Sequence, residues 1–249
     1  MNKRLIDIFE EVEGFHWWFA GRRKILAGVL KKEKNNEGTL KILDVGCGTG
    51  NTIKFLQKYG EVWGIDNLPE AVTICRKAGH TKVLPADATK LPFRNKVFDA
   101  VAFLDVLEHV EKDSKAIKEA RRVLKPGGVV VITVPAIPWI WSKHDSLQGH
   151  VRRYRSRHLR QLLQEEGLQV ETLKHFNVFL FGPIAAVRIL SRLPAFSRLG
   201  EYDSRINFDI AKTGPINSIL TGVFGLEIWL SRWINFPVGV SWLAVGRKK

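Results

Sequence analysis

Gly46, Gly48 and Gly50 directly follow a short apolar run, Leu40, Ile42, Leu43 and Val45, and a helical pattern begins after them. A run of this kind reads as a strand buried on both faces. A strand that passes through a glycine turn into a helix can seat a nucleoside. Glycine permits φ values that other residues avoid, and it lets backbone N–H groups approach a ligand closely. Asp66 closes a second apolar stretch, VWGID, 20 residues after Gly46, and Asn67 follows it. In a βαβ unit a carboxylate at that spacing sits at the tip of the neighbouring strand, where it accepts hydrogen bonds from ribose hydroxyls. The dinucleotide fingerprint would need glycine at position 51, and the chain has Asn51.

A second group of reactive side chains lies in residues 135–160, PAIPWIWSKHDSLQGHVRRYRSRHLR. His144, Asp145, His150 and Tyr154 fall close together, with Trp141 before them and Arg152, Arg153, Arg155, Arg157 and Arg160 among and after them. Such a segment can offer a base from His144, Asp145 or His150. It can also offer a substrate wall from Trp141, Arg153 and Tyr154, with arginine holding an anion. The alternative is a surface loop whose arginines open a solvated helix at Ser156. The histidines do not have the spacing of a helical metal-ligand pair, so no metal is expected there.

The glycine turn, with Asp44 ahead of it, reads DVGCGTG. This resembles the first motif of the class I S-adenosylmethionine (SAM) methyltransferases. The resemblance continues in order through PADATKLPF (85–93), FDAVAFLDVLEHV (98–110) and LKPGGVVVITVP (124–135), and so covers residues 40–135. It implies a Rossmann-like, doubly wound α/β sheet of seven strands with the last one antiparallel. It implies SAM as cofactor and methyl transfer as the reaction. It further implies that Asp44, Gly46, Cys47, Gly48, Asp66, Asn67 and Leu104 contact the cofactor, through backbone amides at 46–50 and the carboxylate at 66. Asp87, with Ala88, is implied beside the adenine ring. In this family a helix before the first strand caps the pocket. His16 and Trp17 are then expected to line the active site, and Arg22 or Arg23 to pair with the cofactor's carboxylate. A hydrophobic anchor with solvent-facing arginines is the other reading of that segment. The loop beyond strand five borders the methyl-acceptor site in this fold. His109 is read as structural or cofactor-adjacent.

Strands at 40–45, 62–66, 80–84, 98–104 and 129–134 alternate with helices, as a parallel doubly wound sheet requires. A helix begins near Asp113 and is stopped by Pro126-Gly127-Gly128. Strands six and seven are expected at 168–176 and 239–248. The chain reads as one domain, 1–249, with an N-terminal helical cap at 1–35 and a helical insertion at 176–236. The insertion is apolar with scattered arginines, which leaves a lid, a membrane-surface contact and a dimer contact open.

The chain has 249 residues and a net charge of +14, which favours an anionic partner such as nucleic acid, an anionic membrane face or a phosphorylated substrate. Two cysteines fit a reducing cytoplasm, and no leader is read at the start of the sequence. Two nucleic-acid chemistries are disfavoured. The motif of exocyclic-amine methylation after strand four is missing, and no cysteine follows Cys75 to attack a pyrimidine. A small-molecule or lipid-linked acceptor is therefore expected. RNA or protein methylation, or a non-catalytic SAM-binding adaptor, stands as the alternative.

Overall fold

The computed structural model describes residues 3–196 and 214–249. Seven strands form one sheet, β1 (Leu40–Val45), β2 (Gly60–Asp66), β3 (Val83–Pro85), β4 (Phe98–Leu104), β5 (Leu124–Pro135), β6 (Leu168–Phe176) and β7 (Ser241–Lys248). Their order is β3-β2-β1-β4-β5-β7-β6. The first five pair in parallel, and β7 is antiparallel to both β5 and β6. β4 is buried along its whole length, as its unbroken apolar sequence requires at the centre of a sheet covered on both faces.

The connecting helices are α3 (Asn51–Leu56), α4 (Pro69–Lys77), α5 (Asp113–Val123), α6 (Lys143–Gln148) and α7 (Ser156–Glu165). One core lies between β4, β5 and helices α5 and α7, around Phe98, Phe103, Ile117 and Leu159. A second lies on the opposite face of the sheet, around Ile42, Leu56, Val72 and Val131. β5 begins earlier than expected. It runs through Pro126-Gly127-Gly128 because Leu124 pairs with Phe98 before the ladder shifts register.

Two helices precede the sheet, α1 (Lys3–Val12) and α2 (Trp17–Glu37), and two follow β6, α8 (Phe181–Leu190) and α9 (Gly214–Leu230). Part of the expected insertion, 197–213, lies outside the described residues. α9 packs along α2 at Gly21, where an added Cβ would stand 2.0 Å from Phe224 Cδ1. Trp17, Trp18 and Phe176 surround the buried Phe224 ring. Asn217 joins the same helices by accepting from the Trp17 amide at 2.8 Å and donating to the Phe15 carbonyl at 3.0 Å. Among the described residues no helix is long and apolar enough to cross a membrane.

Gly21→Ala is therefore expected to cost about 1–3 kcal/mol by overpacking against the Phe224 ring. In a Phe224→Ala background the added methyl has room and its cost should largely vanish. Chemical denaturation of the two single variants and the double variant measures this. Additive losses would show that the ring and the glycine do not meet.

Candidate active site

The carboxyl ends of β1, β2 and β4 open into one cavity of about 310 Å³. The fold dictates this position, since the strand order reverses between β1 and β4, where the connections leaving the two strands run to opposite faces of the sheet and open a crevice. Its walls come from the glycine turn, Asp66–Leu68, Ala86–Ala88, the segment 104–110, the N-terminal helices and α8.

Gly46 and Gly48 have φ of +73° and +54°, which side chains rarely adopt. A Cβ on Gly46 would also stand 2.5 Å from Val106 Cγ2, whereas one on Gly48 would meet nothing within 4 Å. The turn therefore presents an open face to the cavity. The expectation that amides at 46–50 reach the cofactor needs correction. The N–H groups of Gly46 and Cys47 both donate to the Ile65 carbonyl, at 2.8 and 3.0 Å. Gly48 donates to Asp66 Oδ2 at 3.0 Å, and Gly50 donates to the Cys47 carbonyl at 3.0 Å. The amides of Gly46, Cys47 and Gly48 hold the turn on β2, that of Gly50 closes the turn on itself, and what Gly48 gives a ligand is room. The Cys47 thiol points to Cys75, 3.9 Å away, and that contact together with burial pushes its pKa up.

Asp66 is buried, and its second oxygen accepts from the Leu68 amide at 3.0 Å. Burial raises its pKa, and the amides of Leu68 and Gly48 oppose the rise. Asp44 is 2% exposed, and its Oδ2 has no hydrogen-bond partner. Burial pushes its pKa up to about 8, against the pull of Arg22. An unpartnered carboxylate oxygen at a cavity wall is a ready acceptor for a cationic group. Asn67, Asp87, Ala88 and Leu104 also line the cavity, Asp87 at an exposed position.

Arg22 lines the cavity, but the structure gives it another use than pairing with a ligand carboxylate. Its Nη1 donates to the Leu104 carbonyl at 2.9 Å and to Asp105 Oδ2 at 2.8 Å. Asp105 also accepts from Trp18 Nε1 at 3.2 Å and Thr133 Oγ1 at 3.0 Å, and has φ +59°. His16 and Trp17 line the cavity and also belong to the aromatic packing around α2, whereas Arg22 is buried rather than solvent-facing.

The 135–160 segment divides. His144 and His150 line the cavity, whereas Asp145, Trp141 and Tyr154 do not. Asp145 is fully buried and accepts from Arg153 Nε at 2.8 Å, His150 Nδ1 at 2.9 Å and the Ser142 amide at 2.9 Å. A carboxylate so enclosed positions its neighbours and is not a free base. The Arg153 side chain touches the cavity, but its guanidinium is spent on Asp145 and on the Ala136 carbonyl at 2.9 Å. The Tyr154 hydroxyl donates to Asp113 at 2.9 Å and lies within 3.1 Å of the Leu107 carbonyl in the core. The Trp141 carbonyl accepts from Arg192 at 3.0 Å. His144 Nε2 accepts from Gln148 at 2.9 Å, and burial, with Arg188 nearby, pushes its pKa down to about 3. It is a poor base. Of the three expected catalytic side chains, His150 alone reaches the cavity with a carboxylate behind it.

Sequence reasoning passed over Asp105 and Glu108. Glu108 is 1% exposed, lines the cavity, and has neither carboxylate oxygen hydrogen-bonded. Burial first, and then Asp105, raises its pKa well above the ordinary value. The signal available was the pair of acidic residues straddling the end of β4, DVLEHV.

Residues 43–132 match the model of a methyltransferase domain. A demethylmenaquinone methyltransferase from Chlorobaculum tepidum is 35% identical over 119 residues, 47% of this chain and 49% of that protein. A tRNA (carboxymethyluridine(34)-5-O)-methyltransferase from Arabidopsis thaliana is 41% identical over 108 residues, 42% of this chain and 25% of that protein. The chain thus spans about half or less of these curated relatives. The crystal structure of a putative sarcosine dimethylglycine methyltransferase from Galdieria sulphuraria superposes with a TM-score of 0.61 over 91% of this chain and 85% of that one, at 18% identity.

Asp145→Ala is expected to lower stability by about 3–5 kcal/mol, because it strands the buried Arg153 guanidinium. Thermal or chemical unfolding measures it. A loss under about 1 kcal/mol would show that the buried ion pair does not hold this segment.

Proposed function

We propose, from the premise that residues 43–132 are a class I SAM-dependent methyltransferase domain, that the chain moves a methyl group from SAM to an oxygen of an apolar or lipid-linked acceptor. The observation that carries this reading is the composition of the cavity at the carboxyl ends of the strands. It joins an unpartnered carboxylate at Asp44 and a ribose-competent one at Asp66 to a separate polar cluster of Glu108, His109 and His150. SAM, when bound, supplies an electrophilic methyl on a sulfonium. The chain's own residues fit that ligand. The open face of Gly48 leaves room for it, Asp44 suits its ammonium, Asp66 its ribose, and Asp87 with Ala88 the rim where its base would lie.

Little covalent chemistry is then left to the protein. It aligns the acceptor oxygen with the methyl and keeps water out. As the O–C bond forms and the C–S bond breaks, the acceptor loses its proton, and the cluster at 108, 109 and 150 is the polar group that can manage it. His16, Trp17 and Ile184 give the acceptor side apolar and aromatic surface. The helices α8 and α9 carry exposed Ile189, Leu190, Ile216, Ile219 and Trp229. That apolar surface supports an acceptor delivered from a lipid or membrane face, with α8 acting as a lid.

A second reading, methylation of RNA, is favoured by the net charge of +14 and by the likeness to a tRNA methyltransferase. Labelled SAM with the purified chain, offered membrane lipid extract in one arm and total RNA in the other, separates the two. Label in the RNA alone overturns the lipid reading.

Cofactor affinity should depend on pH with a defined sign. The free protein holds Asp44 protonated below about pH 8. An arriving ammonium favours the carboxylate, so that proton must leave. Affinity for SAM is expected to rise by close to tenfold per unit between about pH 6 and 8 and then level off. Asp44→Asn should flatten the profile, and Asp66→Ala should weaken binding by about 10–100-fold. Calorimetry across this range measures both, and a flat wild-type profile would remove Asp44 from the site.

A further inference from the structure

Three side chains on the acceptor side of the cavity are arranged around a common point. The available ligand atoms of Glu108, His109 and His150 all lie within 4.8 Å of one another. The orientation of each imidazole is fixed from behind. His150 Nδ1 donates to Asp145 Oδ1 at 2.9 Å, and Asp145 is itself locked by Arg153. His109 Nδ1 donates to the Gly149 carbonyl at 3.2 Å. Both rings therefore keep Nδ1 for the protein and leave Nε2 for the shared space. The two rings meet edge to face, with centroids 4.9 Å apart.

Metal-ligating histidines are held in this way, one nitrogen on a carboxylate or carbonyl and the other on the ion. Glu108 completes the set. Its carboxylate is buried and both oxygens lack partners, an expensive state for a group with no task. A nearby cation relieves that cost.

We propose that Glu108, His109 and His150 bind a divalent transition-metal ion, and that its open positions take the acceptor oxygen. Two imidazoles and one carboxylate with vacant positions suit Zn²⁺, Fe²⁺ or Mn²⁺ better than Ca²⁺, which prefers an all-oxygen shell. Ligand atoms on one such ion stand about 3.4 Å apart, so the three groups draw together by roughly 1–1.5 Å on binding. His109 is exposed, and its 3.2 Å bond to the Gly149 carbonyl is the longer of the two anchors, so its ring gives more readily. The ion polarises the acceptor hydroxyl, whose proton passes to water on coordination, and the oxygen then attacks the methyl carbon as the C–S bond breaks. The substrate class this selects is an acceptor with a hydroxyl able to take an open position on the ion. The inference rests on the methyl-transfer reading for the acceptor, but the metal site stands or falls separately.

The test uses the whole chain, stripped with a chelator and titrated with Co²⁺ alone. Calorimetry gives stoichiometry, and the visible absorption of Co²⁺ reports nitrogen ligation. One ion per chain with micromolar affinity is expected. Glu108→Gln, His109→Ala and His150→Ala should each weaken it at least 30-fold. The exposed His109 makes its variant the one least able to disturb the fold. SAM affinity with chelator present should stay within about threefold of its value without, so that a failed cofactor site and a failed metal site give different results. The proposal is overturned if Co²⁺ binds no tighter than millimolar, or if its affinity survives the three substitutions. Full turnover in the chelated enzyme would equally overturn it, since the cluster would then act on the acceptor proton directly.

Discussion

The Asp105 carboxylate is the point where the N-terminal helices meet the open end of the sheet. It accepts from Arg22 and Trp18 on α2 and from Thr133 on β5. Its own backbone stands at φ +59°, a conformation that costs free energy in any residue but glycine. The hydrogen bonds offset that strain. They also convert two separate pieces, a Rossmann-like sheet and a helical hairpin, into the two sides of one cavity. The segment 104–110, which carries Glu108 and His109, starts from this junction and is held further along by the Val151 amide on the Glu108 carbonyl and the Tyr154 hydroxyl on the Leu107 carbonyl.

The part of the site that was readable in the sequence is the part built from local structure. A glycine turn after a buried strand and a carboxylate 20 residues on are set by strand and helix lengths, and both lie at the cavity wall. The seven-stranded sheet with its reversed last strand was expected from the resemblance to class I methyltransferases, and the structure has it. What failed depends on partners distant in sequence. Asp145, Arg153 and Tyr154 look like exposed catalytic chemistry in a polar stretch. They are instead buried, because the segment folds back so that Tyr154 pairs with Ala136 and its hydroxyl reaches Asp113. No periodicity announces that. The amides of the glycine turn failed for a related reason, since β2 lies close enough to take them.

The insertion between β6 and β7 shows how an apolar stripe acquires a second task. α9 closes over α2 at Gly21, and its Glu227 accepts from the amides of Val178 and Phe179, at 2.7 and 3.1 Å. Those amides belong to the turn that leads into α8, just after Asn177 with φ +58°. The later helix thus fixes the entry to the earlier one, and α8 brings Ile184 and Arg188 to the cavity. The apolar residues left on the outer faces of both helices are what remains once this inward packing is satisfied.

Charge is segregated across the molecule in a way that bears on turnover. The chain carries +14 overall, yet the cavity wall holds six carboxylates, Glu13, Asp44, Asp66, Asp87, Asp105 and Glu108, against three arginines. Arg22 is bonded to Asp105, and Arg153 and Arg188 face Asp145. Arg22 also stands 3.9 Å from Glu13, and burial raises the pKa of Asp44, Asp66 and Glu108. Burial thus disfavours charge on Asp44 and Glu108, and an entering cation relieves that cost, because ionising a buried carboxylate becomes favourable beside positive charge. A sulfonium ligand brings that charge, and the thioether left after methyl transfer has lost it. Methyl transfer therefore removes one positive charge from the cavity, while the ammonium and the ribose that suit Asp44 and Asp66 stay on the product.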